Sequence, residues 1–231
     1  MIAVTKPATS GSSPFDSSRI CSGSCWSAYF RPNPGGNRYP SMQAIIADTL
    51  AAHIAVIRGL DALAADINRF AERAWACLAD NGRVFWIGNG GSAADSQHLA
   101  AELVGRFERE RPGLASMALT TDSSILTSVS NDYGFESVFA RQVEALCRPG
   151  DLLVGLSTSG NSANVLRAMQ RAADLGVYRV GLTGGTGGRL REHSDLCLVV
   201  PSENTARIQE AHILIGHLLC DLVERRAAAG R

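Results

Sequence analysis

The chain has 231 residues, of which 45% are hydrophobic, enough to bury the core of one domain of ordinary size. It carries 22 Lys and Arg against 22 Asp and Glu, so its formal net charge is zero and it lacks the basic excess expected of a nucleic-acid-binding surface. No run of about 18 apolar residues predicts a membrane-spanning helix. The composition therefore gives no support to a nucleic-acid or membrane partner.

The first 41 residues differ in composition from the rest of the chain. They are rich in Ser, Pro and Gly and have no hydrophobic periodicity, so residues 1–41 are predicted to be a disordered N-terminal extension. Residues 42–231 are expected to form the folded domain. Since Met42 opens the first periodic segment, an alternative hypothesis is that translation of the native protein starts there.

Helical periodicity appears at both ends of this domain. Apolar residues recur at three- and four-residue steps from Ile45 to Leu63, which predicts a first helix. A second helix is expected from about Asp66 to Ala79, and a long last helix from about Thr205 to Ala228.

Between these helices, short apolar segments alternate with further helical ones. The segments predicted as strands are 83–87, 116–119, 151–156, 178–182 and 196–200. Strands separated by helices need crossover connections, which place the strands parallel and the helices on both faces of the sheet. We predict an α/β fold: a three-layer α/β/α sandwich around a five-stranded parallel sheet, with N-terminal helices and a long C-terminal helix.

Two loops rich in Gly and Ser follow predicted strands and precede helices. The first is Gly88-Asn89-Gly90-Gly91-Ser92, and the second runs from Ser157 to Ser162 with the sequence Ser-Thr-Ser-Gly-Asn-Ser. A helix N-terminus attracts anions, and hydroxyls add neutral donors, so both loops suit a phosphate group. No Lys follows the glycines, as a nucleotide-binding P-loop would require. Ligands of open α/β sheets bind at this carboxyl edge.

Acid, base and metal-ligand candidates lie on two helices. His98 and Glu102 are four residues apart, which places them on one helix face. An exposed helical pair is the simpler interpretation of that spacing alone. Gln209, His212 and His217 lie on the last helix, where satisfied core histidines are an equal alternative. Because eight residues of helix span about 12 Å, Gln209 and His217 of one helix are not expected to meet directly at one metal ion. If both act at one centre, long side chains must reach it, or a neighbouring subunit must supply one of them.

In this order and spacing, the motifs resemble the phosphoheptose isomerases of the sugar isomerase (SIS) domain family. The resemblance rests on the two loops, His98 with Glu102, Asn131-Asp132, and Arg207-Ile208-Gln209-Glu210 with His217, and it covers about Met42 to Glu224. It implies interconversion of sedoheptulose 7-phosphate and D-glycero-D-manno-heptose 7-phosphate, the first step of nucleotide-activated heptose synthesis for lipopolysaccharide. It also implies a cytoplasmic homotetramer with active sites between subunits and one zinc ion per subunit.

The resemblance further implies a role for particular residues. Glu102 and His217 would be the catalytic pair, with Glu102 as base and His217 as acid in an enediol mechanism. The implied zinc ligands are His98, Glu102, Gln209 and His217. The implied substrate contacts are Asn89, Gly90, Gly91, Glu102, Asn131, Asp132, Ser157, Thr158, Ser159, Ser162 and Gln209. Since a metal-bound carboxylate is a poorer base, whether the metal is catalytic or structural stays open.

Two other functions are compatible with the serine loop. One is a non-catalytic SIS adaptor that binds a replication initiator, and the other is a phosphosugar-sensing SIS module without turnover. The adaptor pattern does not preserve a Glu/His pair at the positions of Glu102 and His217, whereas this chain has both. The sequence therefore favours the isomerase.

Overall fold

A computed structural model describes residues 40–229, and the predicted extension lies outside them as far as residue 39. The chain divides into two units, Met1–Ile45 and Ile46–Arg231. In the described part of the first unit, the hydroxyl oxygen of Ser41 accepts a hydrogen bond from the backbone N–H of Ala44 at 3.1 Å. This is an N-cap, which explains why the first helix begins at Met42.

The elements alternate as the sequence predicts. The α-helices are α1 (Met42–Gly59), α2 (Ala64–Ala79), α3 (Gly91–Val104), α4 (Ser123–Tyr133), α5 (Val138–Leu146), α6 (Ala163–Asp174) and α7 (Thr205–Ala229). The strands are β1 (Val84–Gly88), β2 (Ser116–Ala118), β3 (Leu152–Leu156), β4 (Tyr178–Gly184) and β5 (Leu196–Val200). Short 3₁₀ turns occupy Leu60–Leu63, Phe135–Ser137 and Arg189–Arg191.

The strands form one five-stranded sheet in the order β2-β1-β3-β4-β5, and every pair is parallel. This confirms the predicted fold class. The chain leaves β1 for β2 at one edge and then returns to β3 on the other side of β1. The strand order therefore reverses between β1 and β3, whose carboxyl ends are in register at Gly88 and Leu156.

Each face of the sheet is covered by its own apolar core. Alternate strand residues such as Val84 and Trp86 pack with α2, α3 and α7 on one face. Phe85 and Ile87 point the other way and pack with α4, α5 and α6. Because both faces are buried, the strands are almost continuously apolar, as expected of a parallel sheet.

Two further features bear on the sequence predictions. In the described range 40–229, no helix is long and apolar enough to cross a membrane. Cys77, Cys147 and Cys220 are buried free thiols, and Cys197 is a half-buried one. Burial raises the pKa of the Cys147 and Cys220 thiols to about 12, which disfavours the reactive thiolate.

Candidate active site

The two Gly/Ser loops lie next to each other at the reversal of the strand order. The first follows β1 and leads into α3, and the second follows β3 and leads into α6. Adjacent strands of an open parallel sheet form a crevice at such a switch point, where ligands bind. The sheet topology thus makes one site of two loops that are nearly seventy residues apart in the sequence (Gly88 and Ser157).

The backbone of the first loop lies close to the side chain of Gln209 on α7. Gly90 precedes α3 with φ of 55°, a conformation that favours glycine. Any side chain at position 91 would meet the amide of Gln209, because a Cβ on Gly91 would lie 2.7 Å from Nε2 of Gln209. The loop and the first turns of α7 are therefore in contact, and Gly91 leaves room for the Gln209 side chain.

The second loop presents hydroxyls at the start of α6. Ser157 is buried, and its Oγ lies 2.9 Å from Oγ of Ser162. Among the described residues, no side-chain bond from Ser162 caps α6, so the N–H groups of Ala163 and Asn164 remain available to an anion, whereas that of Val165 is bonded to the Asn164 side chain. Thr158 is half-buried and Ser159 is exposed, so both can be reached by a ligand.

An amide pair joins the two loops. Nδ2 of Asn89 donates to Oδ1 of Asn164 at 2.9 Å, and Nδ2 of Asn164 donates back to Oδ1 of Asn89 at 2.8 Å. Oδ1 of Asn164 also accepts from the N–H of Val165. The Asn89 side chain, which the resemblance assigns to substrate, is thus engaged in fixing one loop against the other.

His98, Glu102 and His217 come together from α3 and α7. Nε2 of His98 lies 3.1 Å from Oε1 of Glu102 and 3.3 Å from Nε2 of His217. Phe107 covers the other face of His217, with ring centroids 5.4 Å apart and planes 29° apart. A carboxylate and two imidazoles in one cluster can exchange protons, and these residue types are common metal ligands, although no three such side chains in residues 40–229 are placed to hold a metal ion as they stand.

Burial and a neighbouring charge tune His217. Partial burial lowers its pKa, and His98 lowers it further, while the carboxylate of Glu102 acts in the opposite direction. A lowered pKa favours the neutral imidazole at neutral pH, which is the form that binds metals. It also means that the protonated form gives up its proton more readily.

The remaining predicted residues lie apart from this cluster. Gln209 lies against Gly91, two turns of α7 before His217. Asn131 and Asp132 are exposed near the end of α4, where Nδ2 of Asn131 donates to Oδ1 of Asp132. The two turns of helix keep Gln209 and His217 apart, as their spacing requires.

The cluster is open to solvent in a single chain. The side chain of His98 is 47% exposed and that of Glu102 is 24% exposed. The hollow of about 390 Å³ that Tyr133, Arg141 and Arg171 line lies between α5 and α6, away from the cluster. The acid/base cluster is therefore accessible to solvent in the single chain.

Three buried polar residues around the site were not singled out from the sequence: Asn164, Arg111 and Glu224. Asn164 shares the buried face of α6 with Val165 and Met169. A buried polar residue on an apolar helix face requires a hydrogen-bond partner. Its position on that face is therefore the signal by which the sequence could have indicated Asn164. The identity of the partner is set by the fold alone.

Comparison with known proteins agrees with this geometry. The SIS domain family matches residues 50–184. The chain is 56% identical over 181 residues to a phosphoheptose isomerase of Roseiflexus sp., covering 78% of this chain and 92% of that protein. It is 54% identical over 173 residues to one of Akkermansia muciniphila, covering 75% and 92%.

Solved structures extend the comparison to the fold. A phosphoheptose isomerase from Neisseria gonorrhoeae superposes with a TM-score of 0.76 at 44% identity, over 80% of this chain and all of that one. One from Francisella tularensis gives 0.78 at 40% identity with the same coverage. The chain therefore belongs to the SIS domain family, within its phosphoheptose isomerases, a group of sugar-phosphate isomerases.

Proposed function

We propose that this enzyme interconverts sedoheptulose 7-phosphate and D-glycero-D-manno-heptose 7-phosphate. The observation that carries the proposal is the cluster of His98, Glu102 and His217. It stands on the helix that follows the first loop and on the helix that contacts that loop, so a phosphosugar held by the loops would extend toward an acid/base pair.

The substrate is proposed to be held by its phosphate at the serine loop. The hydroxyls of Ser157, Thr158, Ser159 and Ser162 and the open N-terminus of α6 offer donors to the phosphate oxygens. Gly90 and Gly91 present backbone to the sugar, while Gln209 supplies an amide beside them. Asn131 and Asp132, exposed near the end of α4, are proposed to contact the substrate from a neighbouring subunit.

The isomerisation moves one proton between neighbouring carbons. Glu102 takes the proton from the carbon next to the carbonyl, while His217 gives a proton to the carbonyl oxygen, which yields an enediol. Returning the first proton to the other carbon and taking one from the other oxygen completes the reaction. The lowered pKa of His217 makes its protonated form a stronger acid, and makes that form less populated at neutral pH.

Zinc is proposed as the metal of this cluster, with His98, Glu102, Gln209 and His217 as its ligands. Tetrahedral zinc with bonds of about 2.0–2.1 Å to nitrogen separates its ligand atoms by about 3.3 Å. The 3.3 Å and 3.1 Å distances from His98 to His217 and Glu102 fit that separation. In residues 40–229, no group of three His, Cys, Asp or Glu side chains is placed to hold a metal ion, so the proposed ligand set requires side chains to move and Gln209 either to reach along α7 or to come from a neighbouring subunit. Bound zinc would polarise the substrate carbonyl.

The zinc proposal has its own test. Purified protein should carry about one zinc per chain by elemental analysis, and His98→Ala should lose it. His193→Gln serves as the control variant, because the half-buried His193 lies outside the cluster. Protein purified without zinc and unable to take it up would contradict the proposal.

A homotetramer with shared active sites is the proposed assembly. Ile46, Leu50 and Ile54 form an exposed apolar stripe along successive turns of α1, at 58%, 57% and 48% exposure. Such a stripe on a surface helix is typical of an interface. Light scattering on the purified protein should give four chains, and Leu50→Lys should shift it to smaller species. A monomeric wild-type protein would contradict this assembly.

The proposed place of the enzyme is the cytoplasm, at the first step of heptose synthesis for lipopolysaccharide. The free thiols of Cys77, Cys147 and Cys220 agree with a reducing compartment. The adaptor and the sensing module are the competing functions, and neither requires turnover.

One assay separates these functions. Purified protein is incubated with sedoheptulose 7-phosphate, and the formation of the aldose phosphate is followed. Glu102→Gln and His217→Gln should each lower kcat at least about 1,000-fold, because each removes an acid/base group. Glu72→Gln and His193→Gln, outside the cluster, should leave it unchanged. Absence of wild-type turnover with and without zinc would overturn the proposal, and binding without turnover would favour the sensing module.

A further inference from the structure

A buried ion pair lies behind the acid/base cluster. The side chains of Arg111 and Glu224 are 1% and 0% exposed, and Nε of Arg111 is 3.3 Å from Oε1 of Glu224. That contact lacks hydrogen-bond alignment, because Nε has no hydrogen-bond partner among the described residues. The contact is therefore electrostatic only. Both side chains make their hydrogen bonds to backbone groups instead.

Arg111 binds the end of the helix that carries His98 and Glu102. Its Nη2 donates to the carbonyl oxygen of Glu102 at 2.8 Å, and its Nη1 donates to that of Leu103 at 2.8 Å. Weaker bonds from Nη1 reach the carbonyls of Gly105 and Pro112. The last turn of α3 leaves such carbonyls without helical partners, so a buried guanidinium fixes where α3 ends.

Glu224, on α7, binds the backbone of the segment that follows α3. Its carboxylate accepts from the backbone N–H groups of Phe107, Glu108 and Arg109 at 3.0, 2.8 and 2.7 Å. Burial alone would raise the pKa of Glu224, but these bonds outweigh it and lower the pKa, so the carboxylate stays ionised. It thus ties the segment after α3 to α7.

The Arg111–Glu224 pair is connected to His217 in two ways. Glu224 lies seven residues after His217 on α7, which places both on one helix face about 10 Å apart. Phe107, whose N–H is held by Glu224, stacks on the ring of His217. The pair therefore joins α3, the Phe107 segment and α7 at the place where the acid and the base must meet.

We propose that Arg111 and Glu224 are positioning residues that set the placement of Glu102 relative to His217. The proposal rests on the proposed function, since it assigns these two residues to the acid/base step of that reaction. The competing role is general stability of the fold. Because both side chains also bond backbone groups, their loss costs stability in either case, so the two roles are separated by comparison with a buried ion pair away from the cluster.

The chain offers a matched control in Asp151. This carboxylate is also buried, accepts from the N–H groups of Arg83 and Arg148, and pairs with the guanidinium of Arg83. It lies just before β3, at the amino edge of the sheet, opposite to the loops. Asp151→Asn should therefore cost stability as Glu224→Gln does, without touching the cluster.

The test compares kcat, KM and thermal stability. Glu224→Gln should lower kcat at least about 10-fold with KM within about threefold, because the phosphate loops are untouched while the acid/base geometry shifts. Asp151→Asn should keep the wild-type kcat at a comparable loss of stability. The double variant Arg111→Met/Glu224→Leu removes both buried charges and leaves the backbone groups that they bond without partners, so it should lose stability and keep a low kcat.

A second measurement does not depend on turnover or on the folding of one variant. The chain has five histidines, so ¹⁵N-labelled histidine signals can be assigned by single substitutions. Those of His98 and His217 should shift in Glu224→Gln and in the double variant but not in Asp151→Asn. Wild-type kcat in the double variant, or unshifted signals in both variants, would overturn the positioning role. If the wild-type protein showed no turnover, the proposed reaction would be overturned. The histidine signals would then still decide whether Arg111 and Glu224 position the cluster.

Discussion

At the residue scale, the amide pair of Asn89 and Asn164 shows how a side chain in a loop proposed to bind substrate can stabilise the scaffold. Asn164 is 3% exposed, and each amide both donates to and accepts from the other. A buried amide satisfied in this way is specific to its partner, because any change leaves a donor or an acceptor unpaired. The pair keeps the first Gly/Ser loop in register with the second.

Asn164→Asp tests this register. The substitution keeps the acceptor for Asn89 but places a second oxygen 2.8 Å from Oδ1 of Asn89, where the Nδ2 donor stood. The repulsion is expected to lower kcat/KM about 10-fold at neutral pH, which corresponds to about 1.4 kcal/mol. A protonated acid can donate again, so the deficit relative to wild type should shrink toward pH 5.

The control for this measurement is Asn204→Asp. Oδ1 of Asn204 only accepts, from the N–H groups of Ala206 and Arg207, and a carboxylate can replace it there. Its kcat/KM should stay near that of wild type. Equal pH profiles of kcat/KM for Asn164→Asp and wild type would show that the amide pair does not set the loops.

At the element scale, the packing of α3 against α7 decides whether the proposed acid and base meet. A Cβ on Gly216 would lie 2.4 Å from both methyl carbons of Leu99, which is fully buried. Glycine at this position therefore lets the helices approach closely. His217 and His98 are adjacent in sequence to these two residues, so their contact depends on that approach.

Gly216→Ala should push α3 away from α7. Overpacking costs about 1–3 kcal/mol, which exceeds the gain of up to about 1 kcal/mol in helix propensity. We expect a lower free energy of unfolding in urea and a lower kcat. Adding Leu99→Val shortens the opposing side chain, so the double variant should recover part of both. Additive effects in this double-mutant cycle would show that the two residues do not contact.

At the scale of the whole molecule, the buried His212 links stability to pH. It is fully buried, and its Nε2 lies 3.2 Å from the carbonyl oxygen of Thr183. Burial lowers its pKa from 6.5 to about 4, although the bond to Thr183 acts in the opposite direction. The folded state thus holds a neutral imidazole at a pH where the unfolded chain binds a proton.

The sign of the effect follows from proton linkage. Below the unfolded pKa of 6.5 the unfolded state gains protons first, so stability falls as pH decreases from about 6.5 to about 4. Between pH 7.5 and 5 this residue should cost about 2 kcal/mol of the free energy of unfolding. Urea titrations of His212→Gln should show a smaller loss over that range, with His193→Gln as control. Identical pH slopes in His212→Gln and wild type would contradict this linkage.

The sequence by itself determined the elements and their class. Short apolar strands between helices required crossovers, and crossovers required a parallel sheet with two buried faces, which the structure confirms. The same local patterns predicted the two loops and placed His98 and Glu102 on one helix face. These features depend on residues close together in the chain, so periodicity and turn chemistry are sufficient to predict them.

Only the tertiary structure decided which distant residues meet. That Asn89 pairs with Asn164, that His217 reaches His98, and that Arg111 lies against Glu224 follow from the strand order and from the close packing of α3 on α7. Sequence spacing limits how far apart two residues can be on one helix, but it carries no information about contacts between helices. Those contacts are selected by the burial of the whole core, and they turn a phosphosugar-binding scaffold into an arrangement suited to proton transfer.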